Sequence, residues 1–240
     1  MPRLSALLLS LLAALPVAAA TPEEDVQRYI AIFEGGADSD RAVDDLAWMG
    51  ISDTRLYDVV ERRLLADSHG LSMRQRQERN HVARLIKAMG FSGQPRYEAV
   101  LTSLAADYRH PVERALLNLK LYQRWNPIIS SRANWDPALS DDVNRVRNML
   151  GSDDLDLQAL GAKRVFFALS NQPVLLEMLA ERVRATYKKA DLTSADAVAW
   201  MVKAIGKSGD RKYAPLLQEV SAGTPNLKVS READGWLRRM

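Results

Sequence analysis

His69, His81 and His110 are the three histidines of this 240-residue chain, and cysteine is absent. Sequence-local zinc sites pair His or Cys ligands a few residues apart, as in His-Glu-x-x-His. No two histidines here stand four apart and that motif is missing, so no metal ligand and no cofactor is expected. The lack of cysteine excludes a disulfide scaffold, a thiol nucleophile and a lipid-bearing N-terminal Cys. Serine follows glycine in Gly50-Ile51-Ser52, Gly90-Phe91-Ser92 and Gly206-Lys207-Ser208, yet the Gly-x-Ser-x-Gly elbow of a hydrolase does not occur. A serine that recurs at equivalent places reads as architecture, because catalysis needs only one. No catalytic residue is therefore expected.

Carboxylates pair at Asp44-Asp45, Asp141-Asp142 and Asp153-Asp154, with Asp156 close by. Two carboxyl groups could perform glycosidase chemistry. Neighbours on a helix point about 100° apart, however, and acids at a helix start complement its positive dipole end. Asp153 to Asp156 also lacks the glycine and distal Glu of a calcium loop. These acids are expected to open helices.

The strongest charge bias is Arg74, Arg76, Arg79, Arg84 and Lys87 against Glu78 alone. Such a face could meet anionic lipid headgroups or an acidic partner. Equally, it could be a solvated helix surface whose Arg stems cover apolar neighbours. Trp135 joins these residues as a candidate contact in an irregular loop. The other tryptophans, Trp48, Trp125, Trp200 and Trp236, share no repeat position and are expected mostly in the core.

The elements that must position these residues are helical. Val43, Leu46, Ala47 and Met49 stand at helical spacing, as do Val82, Leu85, Ile86 and Met89. After each Gly/Ser turn the spacing resumes at Leu56, Val59, Val60 and Leu64, and at Tyr97, Val100, Leu101 and Leu104. Alternating strand patterns and hairpin dipeptides are missing. Tyr57, Tyr97 and Tyr213 each follow a turn glycine by seven residues. The turn serines fall at Ser52, Ser92, Ser170 and Ser208, in steps of 40, 78 and 38, so a degenerate unit belongs near Ser130-Ser131. Gly50, Gly90 and Gly206 are expected to end the first helix of a unit in the left-handed conformation. Ser52, Ser92, Ser208, Asp210 or a Gln-Pro step then opens the second.

Ala204-Ile205-Gly206-Lys207-Ser208-Gly209-Asp210-Arg211-Lys212-Tyr213-Ala214-Pro215-Leu216-Leu217 resembles the turn and second helix of a HEAT-like, armadillo-type repeat. His110-Pro111-Val112-Glu113-Arg114-Ala115-Leu116-Leu117 and Val229-Ser230-Arg231-Glu232-Ala233 resemble the start of such a unit's first helix. The resemblance implies an all-α solenoid domain over residues 21–240. It would hold about five antiparallel hairpins with a period near 39 residues. An irregular connection is expected near residues 126–140.

With 47% hydrophobic and 26% charged residues, the composition is that of a folded chain. A formal charge of +3 without a basic stripe argues against nucleic acid as a partner. The expected function is non-enzymatic: a periplasmic scaffold whose repeat surface binds an envelope protein. The alternatives are an accessory envelope enzyme or lyase-like cofactor-handling factor, and a binder of anionic membrane surfaces.

Location is read from Met1 to Ala20, a single Arg3 followed by an apolar Leu/Ala stretch ending in Ala18-Ala19-Ala20. That is the layout of a secretory signal with a cleavage site after Ala20. The apolar core is shorter than the ~20 residues of a spanning helix. Protein recovered from the periplasm should have an intact mass lacking residues 1–20. A species still carrying Met1 in the membrane fraction would overturn this.

Overall fold

The computed structural model describes residues 21–35, 39–70 and 75–240. The expected signal at residues 1–20 and Arg74 lie outside the described residues. Within them there are twelve α-helices and no strand. In chain order they are α1 (Pro22–Gly35), α2 (Ser39–Met49), α3 (Thr54–Ser68) and α4 (Arg76–Gly90). Then follow α5 (Glu98–Ser103), α6 (Arg109–Ile129), α7 (Asp141–Gly151) and α8 (Leu155–Ala168). The last four are α9 (Pro173–Thr186), α10 (Ala195–Lys207), α11 (Ala214–Gly223) and α12 (Leu227–Leu237).

Helix starts are set by short polar side chains that satisfy free backbone N–H groups. Asp53 accepts from Arg55 N at 2.9 Å, and Asp154 accepts from Asp156 N and Leu157 N at 3.0 and 3.1 Å. Asn226 accepts from Lys228 N at 3.0 Å. Several consecutive helices pack as hairpins, among them α3 with α4, α7 with α8, α9 with α10 and α11 with α12. Even-numbered helices also pack on one another, α2 with α4, α4 with α6, α8 with α10 and α10 with α12. On the other side α1 packs on α3 and α7 on α9.

Turns from an even to an odd helix fall at residues 50–53, 91–94, 169–172 and 208–210, with a longer connection after α6. Two of them share a hydrogen-bond pattern. Ser92 Oγ donates to Met89 O at 2.7 Å and accepts Gln94 N at 3.2 Å. Ser208 Oγ donates to Ile205 O at 2.7 Å and accepts Asp210 N at 3.2 Å. The hydroxyl thus closes the first helix. In the C-terminal turn the opening of the next helical segment belongs to Asp210, which accepts Lys212 N at 3.0 Å. Ser52 lends its carbonyl to Gln94 Nε2 at 2.9 Å, and Ser170 lies half-buried in a turn.

The tyrosines after these turns explain their own spacing. Tyr97 is buried and donates to Asp58 on α3 at 2.7 Å, where Arg96 also pairs at 3.1 Å. Tyr213 donates to Glu177 on α9 at 3.0 Å, beside a 2.9 Å ion pair from Lys212. In both places a basic-Tyr dipeptide ties its hairpin to an acid on the preceding one.

The glycines correct the sequence reading. Gly50 is left-handed with φ +67°, as expected. Gly90 and Gly206 instead remain helical, and the left-handed residues are Gly93 and Gly209, three positions on. Gly206 serves a close approach: a Cβ there would stand 2.3 Å from Trp236 Cγ on α12. The irregular connection also moves. Helix α6 runs through Pro127 to Ile129, because a proline near the helix end removes a single backbone bond. Residues 130–140 form the connection, held by Asn144, whose side chain brackets Asp136 N and O at 2.9 and 2.8 Å. Asn148, one turn on, donates to Ile129 O and Ser131 O.

This geometry sets a test. Gly206→Ala should destabilise by about 1–3 kcal/mol through overpacking, and Trp236→Leu should recover part of that loss. Gly209→Ala should be additive with Trp236→Leu, since nothing lies within 4 Å of a Cβ at Gly209. Denaturant melts of the single and double variants measure the coupling. No coupling between positions 206 and 236 would refute the close-approach reading.

Candidate functional site

The fold pairs the C-terminal end of the basic run with acids. Lys87 pairs with Asp44 on α2 at 2.8 Å, and Arg84 stands 3.6 and 3.5 Å from Asp40 and Asp44. Arg79 donates to Asp107 O at 2.8 Å and lies over the Tyr108 ring. Arg76 opens α4 on the surface. Arg84 and Lys87, one turn apart, therefore meet the acids of α2 across a helix interface, a partnership invisible in the local sequence. Trp135 is half-buried, with the Arg132 guanidinium stacked 3.6 Å from its ring centre.

The histidines are separate from one another. His81 lies between Asp40 at 3.0 Å and Asp67 at 3.1 Å, stapling α2, α3 and α4. His69 contacts its own helix at Leu65 O, and the exposed His110 stands 3.5 Å from Glu113. Among the described residues no group of three or more His, Asp or Glu side chains is placed to hold a metal ion.

Charged side chains do converge in a cleft where α1 and α2 meet α7 and α8. Asp25 on α1 and Arg145 on α7 form an ion pair with side chains 4% and 8% exposed. Arg28 supports Asp25 at 2.6 Å, and Asp141 stands 4.0 Å from Arg145. Arg164 on α8 holds Asp142 at 2.7 Å, reaches Asp45 on α2 at 3.5 Å and lies over the Trp48 ring. Burial opposes its charge, but Asp142 and Asp45 keep the guanidinium pKa above its ordinary value. Burial, aided by Asp45, pushes the Tyr29 hydroxyl up to about 12. Two cavities of about 290 and 500 Å³ flank the Asp25–Arg145 pair. Asp25, Asp45 and Asp142 are thus engaged by arginines across helices, while Asp141 Oδ1 is buried without a hydrogen-bond partner. Asp141 and Asp142 do sit in the first turn of α7 and Asp154 caps α8, whereas Asp44 and Asp45 fall inside α2.

The second feature was hidden among the tryptophans. Trp48, Trp125, Trp200 and Trp236 lie on even-numbered helices, and only Trp125 is fully buried. A groove of about 510 Å³ runs between α2, α4 and α6 on one side and α8 and α10 on the other. Trp48, Phe91, Tyr122 and Leu160 line it, with Lys163 and Asp196 at the α8–α10 side. One turn beyond Lys163, Phe166 and Phe167 meet Trp200 with ring centres 5.8 and 6.1 Å apart, and Phe166 meets Trp236 at 6.2 Å. Phe167 is 67% exposed. The Phe166-Phe167 dipeptide, just before Ala168 ends α8, was the available sequence signal; one chain position alone does not show that three helices bring four rings together.

No protein-family model matches the chain, and searches of curated proteins and of solved structures find no match either. Among the described residues no helix is long and apolar enough to cross a membrane.

The cleft yields a direct test. Asp25→Ala should cost on the order of 3 kcal/mol, because Arg145 stays buried without its main partner. Combining it with Arg145→Met should cost less than the two single changes together. Urea unfolding monitored by circular dichroism gives the coupling, and strict additivity would show that the pair carries no cross-link energy.

Proposed function

We propose that the protein is a non-enzymatic binding scaffold: a HEAT-like α-solenoid, exported to the periplasm, whose even-numbered helices receive another envelope protein. The repeat of about 39 residues accounts for the even-to-odd turns, with the junction after α6 as the degenerate unit. The shared Ser92 and Ser208 hydrogen bonds and the Tyr97 and Tyr213 ties to the preceding hairpin support it.

The observation that carries the reading is the partly exposed aromatic surface Phe166, Phe167, Trp200 and Trp236. Leaving such area in water is unfavourable by about 25 cal/mol per Å², and clustered aromatic exposure marks contact surfaces. An enzyme would instead need titratable groups available to a substrate, and the cleft acids are bound to arginines.

Mature protein used as bait in envelope extracts should enrich partners that a Phe167→Ala/Trp200→Ala variant loses, with quantitative mass spectrometry as the readout. Recovery of nothing above a bead control would defeat the reading.

A further inference from the structure

Cations rest on the rings of the aromatic surface. Lys203 Nζ stands 4.6 Å and Lys163 Nζ 5.2 Å from the Trp200 ring centre. Lys207 lies over Phe166 at 6.0 Å, and Arg239 over Trp236 at 4.9 Å. Two acids in this region are already occupied: Glu232 pairs with Lys203 at 3.2 Å and Asp196 with Lys228 at 2.6 Å. The Lys228 bond holds the Asp196 carboxyl below its ordinary range. Lys163, Lys207 and Arg239 form no ion pair within 4.0 Å among the described residues. Their charges rest against ring faces, which orient the cations without neutralising them.

We infer that this surface docks an acidic segment of a partner protein, bearing one large apolar side chain that packs on Phe167 and Trp200. The inference rests on the protein-binding reading above and adds the chemistry of the partner. Charge complementarity chooses the occupant: carboxylates placed around the anchor meet Lys163, Lys207 and Arg239, while a basic segment meets like charge at the same points. An apolar anchor in the centre with a charged rim is the arrangement from which binding energy concentrates.

An anionic bilayer shares the preference for cations and aromatics, but this surface suits it poorly. It opens into the groove along α8 and α10, where Asp44, Asp156 and Asp196 stand on the lining. Asp44 and Asp196 are already paired with Lys87 and Lys228, and a chain segment can enter a groove that a flat surface cannot follow. On the basic face that carried the membrane alternative, Arg84 and Lys87 are paired with Asp40 and Asp44.

Fluorescence anisotropy of the mature chain with labelled synthetic peptides tests the inference. A Glu/Asp-rich peptide with a central Phe should bind saturably, and more weakly at high salt. The same peptide with Ser for Phe, or Lys for its acids, should bind at least about tenfold more weakly, the loss expected for one buried anchor. Trp200→Ala and Lys207→Glu, checked for native circular dichroism, should each weaken the acidic peptide comparably. Lys163→Glu/Lys207→Glu should shift preference toward the lysine peptide. Equal binding of acidic and basic peptides, or indifference to these variants, would overturn it. So would Trp200-dependent binding to phosphatidylglycerol vesicles with no binding to the peptide. If envelope partners remain captured by Trp200→Ala protein, this site fails while the scaffold reading stands.

Discussion

The ion pair between Asp25 and Arg145 joins residues 120 apart and buries both charges at the meeting of α1 with α7. Taking two charges out of water is costly, and only a close, supported geometry offsets that cost. Arg28 and Asp141 provide the support, from the second turn of α1 and the start of α7. A stack in which each hairpin touches only its neighbours would leave α1 far from α7. Here α2 also packs on α7 and α8, with Trp48 Nε1 donating to Leu160 O at 3.4 Å. The early helices are thereby fixed against the later ones, and the groove between them acquires two walls.

Regularity inside each run of hairpins rests on smaller devices. Burial raises the Tyr97 hydroxyl, and its bond to Asp58 raises it further, so the phenol stays neutral and donates. Lys212 and Tyr213 hold Glu177 below the usual carboxylate range, keeping it an acceptor in the same role. Asn126 on α6 adds a central clamp, donating to Phe91 O and Ser92 O at 3.0 and 3.1 Å and to Ile51 O at 3.4 Å. One amide thus holds the first two turns together. Backbone carbonyls at turns need such partners when a helix covers them.

Charge is distributed by layer. The cleft around Asp25 and Arg145 and the Arg84–Lys87 end of α4 hold matched pairs that act as cross-links. The aromatic surface of α8, α10 and α12 differs because three cations there lie over rings and form no ion pair within 4.0 Å among the described residues. A paired cation gains little from a further partner, while one held over a ring remains available to a carboxylate. This contrast separates the structural ionic groups from those suited to recognition.

Helical class and turn positions were legible in the sequence, because periodic apolar spacing and Gly/Ser/Pro punctuation act over a few residues. Capping was partly legible: Asp154 and Asp210 carry the acceptors, while the serines at 92 and 208 close the preceding helices. The reason for Gly206 was not, since a helical glycine and a left-handed one look alike until Trp236 is seen against it. Nor could local sequence show that Arg84 and Lys87 face Asp40 and Asp44, or that tryptophans scattered along the chain line one side of it. Those relations depend on which helices become neighbours, and that is decided by packing between segments far apart in sequence. The joining of Asp25 to Arg145 belongs to the same class: periodicity specifies which face of each helix is apolar, and only the tertiary fold specifies what that face meets.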